Sequence, residues 1–448
     1  MSTDPPPVPD GLVLLPFRAL RFAAAADLAS LISPPYDVID ADARLELEGR
    51  APHNVVRLIL PRERPESRGP DDGAEAVDPP VALNSYDIAA GLLRDWTEEG
   101  VLARDDRAAL YLYEQTDRGH VSRGLLGAVG LARAEDGIVL PHENTMAGPV
   151  ADRLALLRAT EADLEPIFLV VAGNGSLEPT LDDAAAGEPF ADVTDAGGVR
   201  HRLWAITDPG ALATIASDLR PRRATIADGH HRYATYLRYQ EERHAAGDGA
   251  GPWDFGLAFV VDATASGPAV HPIHRVVPGL HLDEAVSRAS SALAVTELDG
   301  DAGRWLADLA DAGAEGPAFV LTDGDRAVLL SRPDPALLEE VLPPDRSPAW
   351  RGLDVTIAHV FLVRRLWGLE DTEEVVGYAH SVDDAVADAQ GSAGVALLLN
   401  PTPVEAVAAV AEAGERMPRK STLFTPKPAT GLVMRPLDGL GEPDAVRS

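Results

Sequence analysis

The chain has 448 residues, 46% of them hydrophobic and 25% charged, the balance of a globular protein long enough for two or three domains. It contains no cysteine, which excludes disulfides, thiolate zinc sites and thiol nucleophiles. A formal net charge of −32 sets the surface against phosphate backbones, so general nucleic-acid binding is not expected, whereas a small nucleotide in a local cationic pocket remains compatible.

The opening "MSTDPPPVPDG" lacks a basic stretch followed by an apolar one, so no secretory leader is expected. No run of about 18 apolar residues occurs, so no membrane span is expected either, and the default location is cytoplasmic. An α/β segment opens the chain: "GLVLLPFRALRF" suits a strand with a turn, "ADLASL" starts a helix, and "NVVRLIL" has the pattern of a buried strand. Between them "SPPYDVID" places two prolines before Tyr36 and Asp37, enforcing extended or turning backbone. Residues 61–80 have the composition of a disordered loop, and "SYDIAAGLLRDWTEEG" follows as a helix stopped by Gly100. "AALYLYEQT" and "SRGLLGAVGLARA" pair as strands across the turn "DRGH".

A helix is expected from about Ala151, then a strand, then a weakly patterned stretch over 172–200. "PGALATIASDL" is a helix and "RRATIA" a strand that runs into "DGHHR" and a further helix. "DFGLAFVVDAT" is a strand. From about 280 the chain alternates Ala/Asp/Leu-rich helices with strands such as "PAFVLTD" and "RAVLLS", and "MPRKSTLFTPKPATGLVMRPL" closes it, returning to the middle domain. The expected organisation is an N-terminal α/β segment over 1–130, a core over 131–280 and a smaller C-terminal α/β domain over 281–448.

Three constellations could carry chemistry. At Asp228-Gly229-His230-His231-Arg232 a strand meets a helix whose N-terminus offers unpaired N–H groups and a positive dipole end, a setting suited to phosphate. Gly229 lets a ligand approach the backbone. Arg232 can fork onto phosphate oxygens, a histidine can donate or shuttle a proton, and Asp228 can hold Mg²⁺ or accept a hydroxyl proton. The plain alternative is that Asp228 caps the helix and the histidines flank a turn. In "PHENTMAGPVADR" (141–153), His142 and Glu143 share a loop before Asp152-Arg153, and a loop carboxylate there could act as a general base. In "HPIHR" (271–275) two histidines stand three apart, but Pro272 argues against helical geometry, and no His-Glu-x-x-His helix supports zinc.

Only two lysines occur among 39 basic residues, Lys420 and Lys427, both near the C-terminus. Chance clustering and a place where a compact ammonium is needed both account for them. "GERMPRKS" (414–421) has Arg419 where a phosphate-binding loop needs its second glycine and no clear strand before it, so that motif is rejected. Neither Gly-x-Ser-x-Gly nor Gly-x-Gly-x-x-Gly after a strand occurs.

Through "SPPYDVI", "NVVRLILP", "YLYEQT", "HENTMAGPVADRLALLRATEADLEPIF", "IADGHHRYATYLRY", "HRVV" and "MPRKSTLFTPKPATGLV" nearly the whole chain resembles a bacterial family known as domain of unknown function 1015, DUF1015. The strand–turn–helix at 228–232 is also similar to the phosphate-binding turn of the ParB/sulfiredoxin-like superfamily, which includes nucleotide-using free-serine kinases. That resemblance implies an α/β (α+β) fold with a ParB/sulfiredoxin-like nucleotide-binding core. It implies that Gly229, His230 and Arg232 cradle the phosphates of a nucleoside triphosphate or diphosphate, and that Asp228 or His231 faces Mg²⁺ or the acceptor. Sulfiredoxins need a cysteine in this turn, which is absent, and the basic surface of DNA-binding ParB proteins is missing too. What is left is a nucleotide-dependent phosphotransferase on a small hydroxyl compound such as serine. Glu143 or Asp228 would take the hydroxyl proton, and Arg153, Arg275, Lys420 or Lys427 would offset developing charge. The alternatives are a non-catalytic nucleotide or metabolite sensor and a metal-dependent hydrolase.

Overall fold

A computed structural model describes residues 8–23, 27–62 and 84–438. The chain forms two compact units. The first takes the chain up to Val139, Asn144–Pro268 and the residues from Pro426; the second takes Leu140–Glu143 and Ala269–Thr425. The architecture is mixed α/β, with a large mixed sheet and several smaller ones. No helix among the described residues is long and apolar enough to cross a membrane.

The large sheet has nine strands: β1 (Leu14–Leu15), β2 (Leu110–Asp117), β3 (His120–Gly130), β4 (Val139–Leu140), β5 (Ile167–Val171), β6 (Ala191–Thr194), β7 (Arg200–Ile206), β8 (Ala224–Asp228) and β9 (Phe255–Asp262). Their order is β4-β8-β5-β9-β3-β2-β7-β6, with β1 added alongside β3. β5 and β9 run parallel, and from β8 to β6 the other neighbours are antiparallel. The β2–β3 hairpin turns at Arg118 and Gly119, both at positive φ, the geometry that matches the twist of paired strands. Leu112, Leu125, Ile167, Leu169, Ile226 and Val260 belong to one buried cluster that this sheet shares with its helices.

The helices of this unit include α1 (Ser85–Glu98), α2 (Ala147–Thr160), α3 (Pro209–Leu219) and α4 (His230–Ala246). Asn84 caps α1 by accepting from Tyr86 and Asp87, Asp208 caps α3, and Gly100 at φ +73 turns the chain out of α1 as its sequence position suggests. α2 begins at Ala147, about four residues before the expected start, because Pro149 falls in the first turn, where its missing N–H would have no intrahelical partner anyway. "NVVRLIL" is a short helix, Val56–Ile59, and not a strand. The Asn54 side chain accepts from Val56 N–H and starts the turn, and Val56, Leu58 and Ile59 are buried, so no alternation distinguished the two structures. The weakly patterned stretch holds a helix at Glu178–Ala185 and the edge strand β6. The loop expected over 61–80 falls, from residue 63 on, outside the described residues.

The second unit is built on a six-stranded antiparallel sheet of β10 (His274–Val277), β11 (Ala294–Leu298), β12 (Ala318–Thr322), β13 (Ala327–Ser331), β14 (Gly377–Ala379) and β15 (Val395–Leu399), in the order β11-β13-β12-β15-β10-β14. Helices Ala302–Gly313 and Val382–Gly391 bury Trp305, Leu309, Ala385 and Ala389 against it. Within this unit His274 is 2% exposed, and its Nδ1 accepts from Leu399 N–H. Arg275 donates to His359, whose other ring nitrogen bonds Asp371.

Burial pushes the His274 imidazole down to about 4, with Arg275 adding to the effect. The unfolded chain therefore takes up a proton near pH 6.5 that the folded chain refuses until about pH 4, and stability falls as pH drops through that window. His359, also held low by burial, acts with the same sign. In denaturant titrations at pH 7 and pH 5 we expect His274→Gln to lose about 2 kcal/mol less between the two than the unsubstituted chain. Equal losses would show that His274 does not carry the effect.

Candidate functional site

Strand β8 ends in Asp228, and Gly229 at φ +91 turns the chain into α4. That left-handed conformation favours glycine, and a Cβ here would also stand 3.1 Å from Arg232 Nε. Asp228 does not cap α4. The cap residue is Gly229, which has no side chain to accept from the first turn.

Both oxygens of Asp228 instead meet cations. Arg232 Nη2 donates to Oδ2 at 2.6 Å, and Lys427 Nζ donates to Oδ1. Arg232 is 4% exposed, and its Nη1 donates to Pro166 O, so the guanidinium lies inside the unit rather than at its surface. Burial pulls that guanidinium down, but Asp228, Glu165 and Asp37 outweigh it and hold it above its ordinary value. Its Nε has no protein partner; a cavity of about 30 Å³ lined by Arg232, Arg153, Glu165 and Tyr236 is wide enough for a water that would accept from it. Lys427 also lies 3.8 Å from Asp37, and its carbonyl accepts from Gln115 Nε2 at 2.8 Å.

His231, in the first turn of α4, is held by a second helix. Met146 N–H, at the start of α2, donates to His231 Nε2 at 3.1 Å. Further along, Thr235 Oγ1 donates to Val150 O, and Arg158 pairs with Glu242. These pairs are 85, 85 and 84 residues apart, so α2 and α4 run parallel, with both N-termini at one end. A backbone N–H can only donate, so His231 Nε2 accepts and the neutral ring carries its proton on Nδ1. Burial lowers the His231 imidazole, with Asp37 opposing and Arg232 reinforcing, which favours that neutral form. Two aligned helix dipoles thus present their positive ends together, and an anion placed there relieves their mutual repulsion.

The other expected residues divide between the units. Arg153 lies in the second turn of α2, 6% exposed, and donates to Ile59 O and to Asp152. Its guanidinium stacks on the Tyr36 ring at 4.3 Å, whose phenol burial pushes up to about 12. His230 opens α4 and is 6% exposed. Glu143, Arg275 and Lys420 belong to the second unit, where His142 Nε2 bonds Thr422 Oγ1, and Arg275 Nη2 donates to the carbonyl of Lys420. Lys420 itself sits at φ +53. Asp37, Glu165 and Thr430 also belong to the cluster around Asp228, and no motif singled them out for chemistry. The two prolines before Tyr36-Asp37 were the available signal for the first; the other two fall inside the family motifs at 142–168 and 417–433, where nothing about their residue type points to a role.

A family model described as protein of unknown function (DUF1015) matches residues 14–356. No curated protein matches the chain. Among solved structures it is similar to a free serine kinase in complex with AMP, at 16% identity and a TM-score of 0.32, covering 67% of this chain and 88% of that one. SbnI with a C-terminal truncation, from Staphylococcus aureus, is similar at 13% identity and a TM-score of 0.34, over 70% and 88% of the two chains. A conserved hypothetical protein from Pyrococcus furiosus is similar at 14% identity and a TM-score of 0.29, over 68% and 91%.

Replacing Gly229 by Ala should cost about 2 kcal/mol, from the positive φ and the approach to Arg232. Arg232→Ala should cost about 3 kcal/mol by leaving buried polar groups without their partner. Denaturant titration of both variants checks this; a neutral Arg232→Ala would show that Asp228 does not depend on it.

Proposed function

We propose that this chain, which belongs to the DUF1015 family, is a nucleotide-dependent phosphotransferase acting on a small hydroxyl compound. The observation that carries the reading is the pairing of the α2 and α4 N-termini through Met146 and His231, beside Asp228, Lys427 and Asp37. Phosphoryl transfer needs positioning and charge neutralisation more than covalent chemistry, and this arrangement offers both. The phosphates of a nucleoside diphosphate or triphosphate lie against the first-turn N–H groups of α4 around Gly229 and His230. His231 Nδ1–H donates to a phosphate oxygen. Lys427, a compact point charge held beside Asp228, offsets the charge that develops on the transferred group. The acceptor hydroxyl attacks phosphorus, the bond to the leaving phosphate breaks, and a carboxylate takes the hydroxyl proton.

Within the first unit Asp37 suits that last step better than Asp228. Asp37 keeps a third of its side chain exposed, whereas Asp228 has both oxygens engaged by cations. Arg232 is assigned to holding Asp228 in place, and Arg153 to holding Tyr36. Serine is the acceptor the sequence resemblance implies, and the ParB/sulfiredoxin-like core is the fold proposed for the first unit.

Mg²⁺ is the usual companion of nucleotide phosphates. The Asp228 carboxylate does not fit it as it stands, because Arg232 and Lys427 already occupy its two oxygens, and no step here is routed through a metal. The same saturation of Asp228 favours the second reading, a nucleotide sensor without turnover.

The test is calorimetric titration with ADP and ATP, followed by a nucleotide-consumption assay across small hydroxyl compounds with and without Mg²⁺. We expect binding, and turnover with one acceptor. His231→Ala should weaken nucleotide binding about tenfold through loss of one donor and of the Met146 contact. Lys427→Ala should lower turnover by at least about 100-fold while changing binding less. Saturable binding with no turnover selects the sensor; absence of nucleotide binding removes both.

A further inference from the structure

We infer that Glu165 is the positioning residue of this site, clipping the segment at Tyr36 to the segment at Thr430 and thereby setting where Asp37 and Lys427 stand beside Asp228. The inference rests on the reading of the Asp228 cluster given above. Glu165 is 4% exposed and lies between Asp163 and strand β5. Its Oε1 accepts from Tyr36 N–H at 2.9 Å and from Thr430 Oγ1 at 3.3 Å, and its Oε2 lies 3.7 Å from Arg153 Nη1. Its carbonyl accepts from the Tyr236 hydroxyl, which anchors the residue to α4.

The two segments it joins are already neighbours, since Ser33 and Thr430 exchange backbone hydrogen bonds at 3.2 and 2.8 Å. That two-bond ladder fixes their separation at one point only. Asp37 lies one residue beyond Tyr36, and Lys427 three residues before Thr430, so a second fixed point is needed to aim both. One carboxylate oxygen shared by Tyr36 N–H and the Thr430 hydroxyl supplies it. A carboxyl is expensive to bury, and packing alone would favour an apolar side chain here. Here the carboxyl accepts from both segments through Oε1 and at the same time faces the guanidiniums of Arg153 and Arg232. Burial raises the Glu165 carboxyl and those two arginines oppose the rise.

The chain's two lysines make the test direct. Labelling with N-hydroxysuccinimidyl acetate, read by peptide mass spectrometry, gives the rate at Lys427 relative to Lys420, which lies in the other unit and serves as reference. Lys427, 20% exposed and bound to Asp228, should react slowly in the unsubstituted chain. Glu165→Ala should raise the Lys427 to Lys420 ratio on the order of tenfold, and Thr430→Val, which removes one hydrogen bond, roughly threefold. Glu165→Gln keeps an acceptor oxygen and should stay within about twofold of the unsubstituted chain. A Glu165→Ala protein that melts cooperatively and keeps the original ratio overturns the inference. Should that variant fail to fold, Thr430→Val at the original ratio overturns it. ADP titration of the unsubstituted chain is scored separately: absence of binding overturns the phosphotransfer reading, while the labelling ratios still decide whether Glu165 sets the position of Lys427.

Discussion

The Asp228 carboxylate, held between one guanidinium and one ammonium, is the interaction on which the organisation of the first unit turns. A carboxylate at the end of a buried strand cannot stand without partners, because its desolvation costs several kcal/mol. Arg232 answers from the helix that follows, and Lys427 from a segment 199 residues later in the chain. The strand end, the helix start and the C-terminal segment are thereby tied to one pair of oxygen atoms. Charge-assisted contacts of this kind are short and directional, so they fix geometry as well as contributing stability.

Around that pair the backbone supplies the rest of the field. Two parallel helices with their N-termini together are an unfavourable arrangement of dipoles, accepted here with a histidine as the bridge between them. The bridge has a chemical by-product, since it fixes which ring nitrogen of His231 holds the proton. The overall charge of −32 says little about this place, because charges more than about 8 Å away through solvent are screened at physiological salt. Composition and site chemistry thus point in different directions without conflict.

Much of the architecture was legible because periodic signals and turn chemistry agreed. α1, α3, α4, the β2–β3 hairpin and the strands on either side of 323–326 all follow their sequence patterns. The failures share a cause. "NVVRLIL" buries all but Arg57 and Leu60, so neither alternation nor helical spacing could separate strand from helix, and the turn that Asn54 forms by accepting from Val56 N–H went unread. The turn at 228–232 was visible from Asp-Gly-His-His-Arg, and the two lysines drew notice by their rarity. What the sequence does not show is direction: Arg232 has the chemistry to meet a ligand but faces Asp228 and Pro166 O, and Asp37, an unremarkable carboxylate, stands beside Lys427. Long-range partners such as Glu165 and Thr430, 265 residues apart, carry no local pattern at all.

The return of the chain at Pro426 also has a consequence for biosynthesis. The first unit is interrupted after Pro268 by Ala269–Thr425 of the second and resumes at Pro426. On a ribosome adding about 5–20 residues per second, Asp228 waits on the order of 10–40 s for Lys427 to be made, and longer for it to clear the exit tunnel. Throughout that interval the nascent unit has Arg232 but not Lys427, and the Ser33 backbone lacks its partners on Thr430. The Asp228–Arg232–Lys427 cluster therefore forms only after the segment from Pro426 has been made. An arrested or truncated product could hold most of the large sheet and still lack the site.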